Sequence, residues 1–261
     1  MKLGVQLFGS MKLYNADPDG FLKSVREAGY DLVEPCIDFG GLGIPFAWPD
    51  ADLEAHVRRA RELGFAFDSC HVFARAFWEA VPQMLDAAAR FGFKRFVVGW
   101  RGAAEKQALD EFAGHCRETA AALEAQGLEL WLHNNAQEIA DQIDGLSAYE
   151  YLLRAAGGHL GAQVDTGWVV CGGAELKRFL DRNADFIRSI HHKDVRALTD
   201  AEGRTDNVAL GRGIVDPRLA HDFAIAHGLG EIVDQDNSLG SIVEDLAASV
   251  TFLRGLDQKE A

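Results

Sequence analysis

The feature that most restricts how this chain can fold is a unit that recurs along it: an amphipathic helix ends near a glycine and a short apolar strand follows. Copies lie at 27–34, 62–71, 90–100, 125–133, 158–165, 185–191 and 226–234, and an opening strand from Leu3 to Phe8 brings the strands to eight. Glycine suits the junctions because a helix commonly ends on a left-handed residue, which costs glycine nothing. Asp17-Pro18 and Asp216-Pro217 mark helix starts, a capping aspartate followed by a proline at the first helical position. The helix faces keep the 3.6-residue period, as in Phe21, Leu22, Val25 and Ala28, or Met84, Leu85, Ala88 and Phe91. Eight strands alternating with helices predict a single (β/α)8 TIM barrel over 1–256, with a polar, frayed tail at 257–261.

In such a barrel the strand ends face one another around a common mouth, where active sites collect. Here those ends carry Gln6, Glu34, His71, Trp100, His133, Asp165, His191 and Asp234, with Glu138, Lys193, Asp194 and Asp236 just beyond. One acid or imidazole at a strand end is ordinarily a hydrogen-bonded structural residue, but a full ring of them is not. His192 follows His191 and points to the other side of the strand, which predicts a structural role. Two longer loops, 39–49 and 198–213, follow strands on the same side and are placed to cover a substrate.

Composition narrows the partners. With 48% apolar and 25% charged residues the chain can build a sizeable core. A net charge of −14 without clustered Lys and Arg argues against nucleic acid. Cys36, Cys70, Cys116 and Cys171 are far apart and form no CxxC pair, so they read as reduced, non-catalytic thiols. Without a signal peptide or an apolar run of about 20 residues, the expectation is a cytoplasmic protein that meets no membrane.

Imidazoles and carboxylates converging from separate strands, with no sulfur among them, suit a divalent ion such as Mn2+, Zn2+ or Co2+. Asp165, His191 and Asp234 are the clearest candidate ligands. On the fifth strand the choice lies between His133 and Glu138.

Five motifs carry a resemblance: His133-Asn-Asn-Ala-Gln-Glu138, Val164-Asp-Thr-Gly-Trp168, Ile190-His-His-Lys-Asp194, Leu210-Gly-Arg-Gly-Ile-Val-Asp216 and Ile232-Val-Asp-Gln-Asp236. Together they resemble the xylose isomerase-like TIM barrels, the sugar phosphate isomerase/epimerase family related to ketose 3-epimerases and inosose-processing enzymes. The resemblance covers essentially the whole chain. It implies one divalent metal, Mn2+ first and Mg2+, Co2+ or Zn2+ after it, held by Glu138 or His133 with Asp165, His191 and Asp234. Two positions depart from the family pattern: Asn135 stands where a second histidine is usual, and Asp234 where glutamate is typical.

The expected reaction is isomerisation or epimerisation of a ketose or oxidised sugar, with a base at Glu138 or Asp234 and with His71 and Lys193 as further acid–base candidates. Lys193 reads equally well as an ion-pair partner of Asp194 or Glu34. Gln6, Glu34, Trp100, Trp168 and Arg212 are candidate substrate contacts, and Phe46 can stack on a sugar face. Arg196 and Arg212 are the only anion contacts this reading offers, which favours a non-phosphorylated sugar. A lyase, dehydrating or cleaving a 3-keto-glycoside by β-elimination, needs the same metal and base. A non-catalytic sugar-binding barrel and an endonuclease IV-like phosphodiesterase are more remote alternatives. A homo-oligomer fits the family habit.

Overall fold

The computed structural model describes residues 2–200 and 202–257. Eight parallel strands build it: β1 (Leu3–Gln6), β2 (Leu32–Glu34, resuming as Cys36–Asp38), β3 (Ser69–Phe73), β4 (Arg95–Gly99), β5 (Glu129–His133), β6 (Leu160–Asp165), β7 (Ile187–His192) and β8 (Gly230–Val233). Each pairs with its sequence neighbour, and β8 pairs with β1. Closure runs through β2, whose first half pairs with β1 and whose second half pairs with β3. Pro35 separates the halves: it has no N–H to give a ladder, and its carbonyl instead accepts from His71 N at 2.9 Å.

The strands differ from expectation at both of these places. β1 stops at Gln6, where a 3-10 turn over Phe8–Ser10 begins, and β2 runs past Glu34 to Asp38. Both expected caps form: Asp17 Oδ1 accepts from Gly20 N at 3.0 Å, and Asp216 Oδ1 from Leu219 N at 3.2 Å. Gly92 and Gly228 end their helices in the left-handed region, at φ 73° and 65°. Asp257 closes the last helix, Ile242–Asp257; the remainder of the tail expected to fray, 258–261, lies outside the described residues. Among the described residues no helix is long and apolar enough to cross a membrane.

A register shift decides which side chains meet at the carboxyl end. Between β6 and β7 the pairing advances from Ala162 with Ile187 to Gln163 with Ser189, which leaves Arg188 without a partner and exposed. Side chains alternate along a strand, so one extra residue reverses every later position. The shift brings Asp165 level with His191.

Candidate metal centre

The inward side chains at the carboxyl end form one buried polar network. Its lower layer centres on Glu34, which is 1% exposed. Glu34 accepts from Gln6 Nε2 at 3.0 Å, Gln163 Nε2 at 2.8 Å, His191 Nε2 at 2.8 Å and the Ser69 hydroxyl, and lies 3.2 Å from His71 Nε2. Burial would raise its pKa, but the charge of His191 and the hydrogen bonds from His191 and His71 hold it well below the ordinary carboxylate value. Gln6 and Glu34, the expected substrate contacts, are both buried and bonded to each other.

These bonds fix tautomers. Gln163 gives its amide N–H to Glu34, so its Oε1 is free to accept, and His71 Nε2 lies 2.9 Å from it. His71 Nε2 therefore carries the proton and Nδ1 is the basic nitrogen. His191 is oriented in the same way: Nε2 is held by Glu34, and Nδ1 lies 3.2 Å from Asp234 Oδ2.

The upper layer is a group of four, His133, Asp165, His191 and Asp234, all buried, with donor atoms within 4.8 Å of one another. His133 Nε2 is 3.6 Å from Asp165 Oδ2 and 3.9 Å from Asp234 Oδ2. Three atoms of this group, His133 Nε2, Asp165 Oδ2 and Asp234 Oδ1, are buried with no hydrogen-bond partner. Buried polar atoms without hydrogen bonds are costly, and two of these, His133 Nε2 and Asp165 Oδ2, face each other, while Asp234 approaches His133 and His191 through its other oxygen, Oδ2; such a set of donors suits a cation. Burial lowers the His133 pKa to about 4, so its imidazole is neutral, the form that binds a metal. Burial opposes the charge on His191, but Glu34 and Asp234 carry its pKa up to about 10.

Lys193 has neither of its expected partners. Its ammonium lies 2.6 Å from Asp236 Oδ2, 3.1 Å from Asp234 Oδ2 and 2.9 Å from Asp165 Oδ2, the last contact lacking hydrogen-bond alignment. Burial works against this charge, yet the three aspartates raise the pKa well above the ordinary lysine value. Trp168 sits alongside, its ring centroid 4.7 Å from the Lys193 nitrogen. Burial and the charge on Asp234 push Asp236 up to about 6. Asp194 is turned away and accepts backbone N–H bonds from Gly211, Gly213 and Val215, which pins the Gly-Arg-Gly turn. Arg212 in that turn is exposed and does not line the mouth cavity.

His133 and Glu138 also part company. Glu138 forms a capping box with Asn135, accepting from its backbone N–H at 3.2 Å and its side-chain amide at 3.0 Å, and stays outside the group of four. His192, as expected, faces away; it and His221 both bond Glu231, at 2.7 and 2.9 Å.

Beside the cluster lies a cavity of about 510 Å3, reached by His71 and His133 and walled by Phe46, Phe73, Trp78 and Trp100. Its size suits a small-molecule ligand. The first long loop supplies Leu42, Ile44 and Phe46 to the wall. The described residues of the loop at 198–213 do not line the cavity but hold the cluster, since Asn207 Oδ1 accepts from Asp236 N at 2.7 Å. Another cavity, about 620 Å3, opens at the amino end of the strands around Leu32, Asp68 and Gly230, away from the group of four. The sequence reading missed Ser69 and Gln163, although each lies two residues before a strand-end residue and so shares its inward face.

The family model for xylose isomerase-like TIM barrels matches residues 22–223. The chain belongs to this family. None of the curated proteins compared with it matches. Among solved structures, the xylose isomerase-like fold is shared with a sugar phosphate isomerase/epimerase from Parabacteroides distasonis, at TM-score 0.77 and 16% identity over 96% of this chain and 92% of the other. The probable 3-DHS dehydratase AsbF involved in petrobactin synthesis, from Bacillus anthracis, aligns at TM-score 0.70 and 14% identity over 97% and 99%. A xylose isomerase-like TIM barrel protein from Mycobacterium smegmatis in complex with magnesium aligns at TM-score 0.64 and 17% identity over 93% and 89%.

Proposed function

We propose that this xylose isomerase-like barrel is a divalent-metal-dependent isomerase or epimerase of a ketose or oxidised sugar, working through enolisation. The observation that carries this reading is the buried group of four, His133, Asp165, His191 and Asp234, with donor atoms within 4.8 Å of one another beside an open cavity. Two imidazoles and two carboxylates suit Mn2+, with Zn2+, Co2+ and Mg2+ as alternatives. Once bound, such an ion would polarise a carbonyl and its neighbouring hydroxyl.

The chain's own groups supply the rest. Glu34 holds His191 Nε2 and so turns Nδ1 towards Asp234, an arrangement common behind metal-bound histidines. His71 lines the cavity with a basic Nδ1 and takes the proton next to the carbonyl. Lys193, buried and cationic, stabilises negative charge developing on a substrate oxygen. Trp100 and Phe46 pack against the sugar face.

A lyase is the second reading. One structural neighbour on this barrel is described as a probable dehydratase, and elimination from the enolised sugar needs the same groups.

The test is deuterium exchange in heavy water over a panel of ketoses and 3-keto-glycosides, with metal content measured alongside. Protein loaded with Mn2+ exchanges the proton next to the carbonyl, whereas Asp165→Asn holds little metal and exchanges at least about a hundredfold more slowly. Epimer or isomer formation supports the first reading, and released water or aglycone without an epimer supports the second. Wild-type protein that takes up no divalent ion, together with unchanged sugar binding in Asp165→Asn, would overturn both.

A further inference from the structure

The wall of the mouth cavity carries two arginines. Arg75 lies just beyond β3 and Arg101 just beyond β4, and both line the cavity. The Arg101 guanidinium carbon rests 5.6 Å from the centroid of the Phe73 ring. Among the described residues neither guanidinium is paired with a carboxylate, although the chain has 40 acidic residues against 26 basic ones. Arg212 stands between the two glycines whose N–H groups bind Asp194 and does not line the cavity. The cavity thus has a polarity of its own. Among the described residues no carboxylate lines it, and Arg75 and Arg101 stand at its aromatic wall while the candidate ligands Asp165, His191 and Asp234 lie outside it, grouped with His133.

From this polarity we infer that the substrate is anionic, a sugar derivative bearing a carboxylate or phosphate that Arg75 and Arg101 bind while its carbonyl end reaches His71 and the cluster. The inference rests on the proposed enolisation, since that reading sets which end of the substrate faces inward. Guanidinium forks match the oxygens of carboxylate and phosphate, and apolar walls strengthen the contact by excluding water. A neutral sugar would leave both guanidiniums to water. The sequence suggested a non-phosphorylated substrate because no Arg/Lys cluster is visible along it. The two arginines are 26 positions apart, and only the barrel brings the ends of β3 and β4 to one wall.

The test uses the full chain loaded with Mn2+ and three related probes, fructose, fructuronate and fructose 6-phosphate, with dissociation constants measured by calorimetry. Wild-type protein should bind at least one anion about tenfold or more tightly than fructose, the scale of a hydrogen bond to a charged group. Arg75→Gln with Arg101→Gln should reduce that preference to about twofold and leave fructose affinity and the unfolding midpoint unchanged, because both side chains are exposed. Which anion wins separates carboxylate from phosphate. Equal binding of all three, binding of none, or a double variant that keeps the preference would overturn the inference. Asp165→Asn separates it from the proposed reaction: if the inference alone fails, exchange still depends on Asp165 without any anion preference. If the reaction alone fails, the preference persists in a protein whose exchange never depended on Asp165.

Discussion

Lys193 is the residue on which the electrostatics of the site turn. It is 1% exposed and faces three carboxylates, so removing its charge leaves Asp165, Asp234 and Asp236 uncompensated in a region of low polarity. Lys193→Met should therefore destabilise the metal-free protein by about 3–5 kcal/mol in urea unfolding, the usual cost of orphaning one side of a buried ion pair. Added Mn2+ should restore part of that loss, because a cation at the group of four compensates the same aspartates. An unfolding midpoint that ignores both the substitution and the metal would show that this charge balance does not stabilise the fold. At this scale the sequence was readable wherever a strand end carried its residue inward: His71, His133, Asp165 and His191 all reach the network. It could not set Glu138 apart from His133, because that depends on Asn135, whose amide draws Glu138 into a helix cap. Nor could it pair Lys193, since its partners lie on β6 and beyond β8.

Among the elements, the outer helices are joined by a polar contact as specific as any in the barrel. Glu150, buried in the helix Ala148–Ala155, accepts from Ser147 N at 3.1 Å within its own cap, and from Arg182 at 2.6 Å and Asn183 at 3.1 Å in the helix Leu176–Asn183. Burial raises its pKa, but these donors outweigh burial and leave it below the ordinary value. A carboxylate with a depressed folded pKa contributes stability above its unfolded value, and loses that contribution as pH falls through the folded one. Glu150→Gln should thus cost about 1–3 kcal/mol at neutral pH, and the gap from wild type should close below about pH 4. A gap that stays constant with pH would assign the loss to packing. The elements themselves were legible because the repeat and the caps are local signals. The split of β2 at Pro35 and the register shift at Arg188 were not, because both are settled by pairing with a neighbouring strand.

At the scale of the molecule, the proposed cation site would link folding stability to cation binding through His191. With its pKa raised to about 10, His191 is protonated across the neutral range, sharing its Nδ1 proton with Asp234. A raised histidine pKa gives stability that is complete below the unfolded value, near 6.5, and fades as pH rises towards about 10. The metal-free barrel should therefore weaken steadily over that window. Cation binding at the proposed site would have the opposite slope, because an ion taking His191 Nδ1 as a ligand would displace the proton. Apparent affinity then rises about tenfold per pH unit, or about 1.4 kcal/mol, until His191 is neutral. Ligand at a hundred times its dissociation constant stabilises a fold by about 2.7 kcal/mol, and for a domain of this size each kcal/mol moves Tm by roughly 2–4 °C. Melting curves with Mn2+ and with chelator should consequently diverge by some degrees at pH 7 and by more at pH 8.5, with Asp165→Asn showing no divergence at either. If the two curves keep a constant separation across that range, the proton on His191 is not the one the metal displaces, and the assignment of Nδ1 as a ligand atom fails.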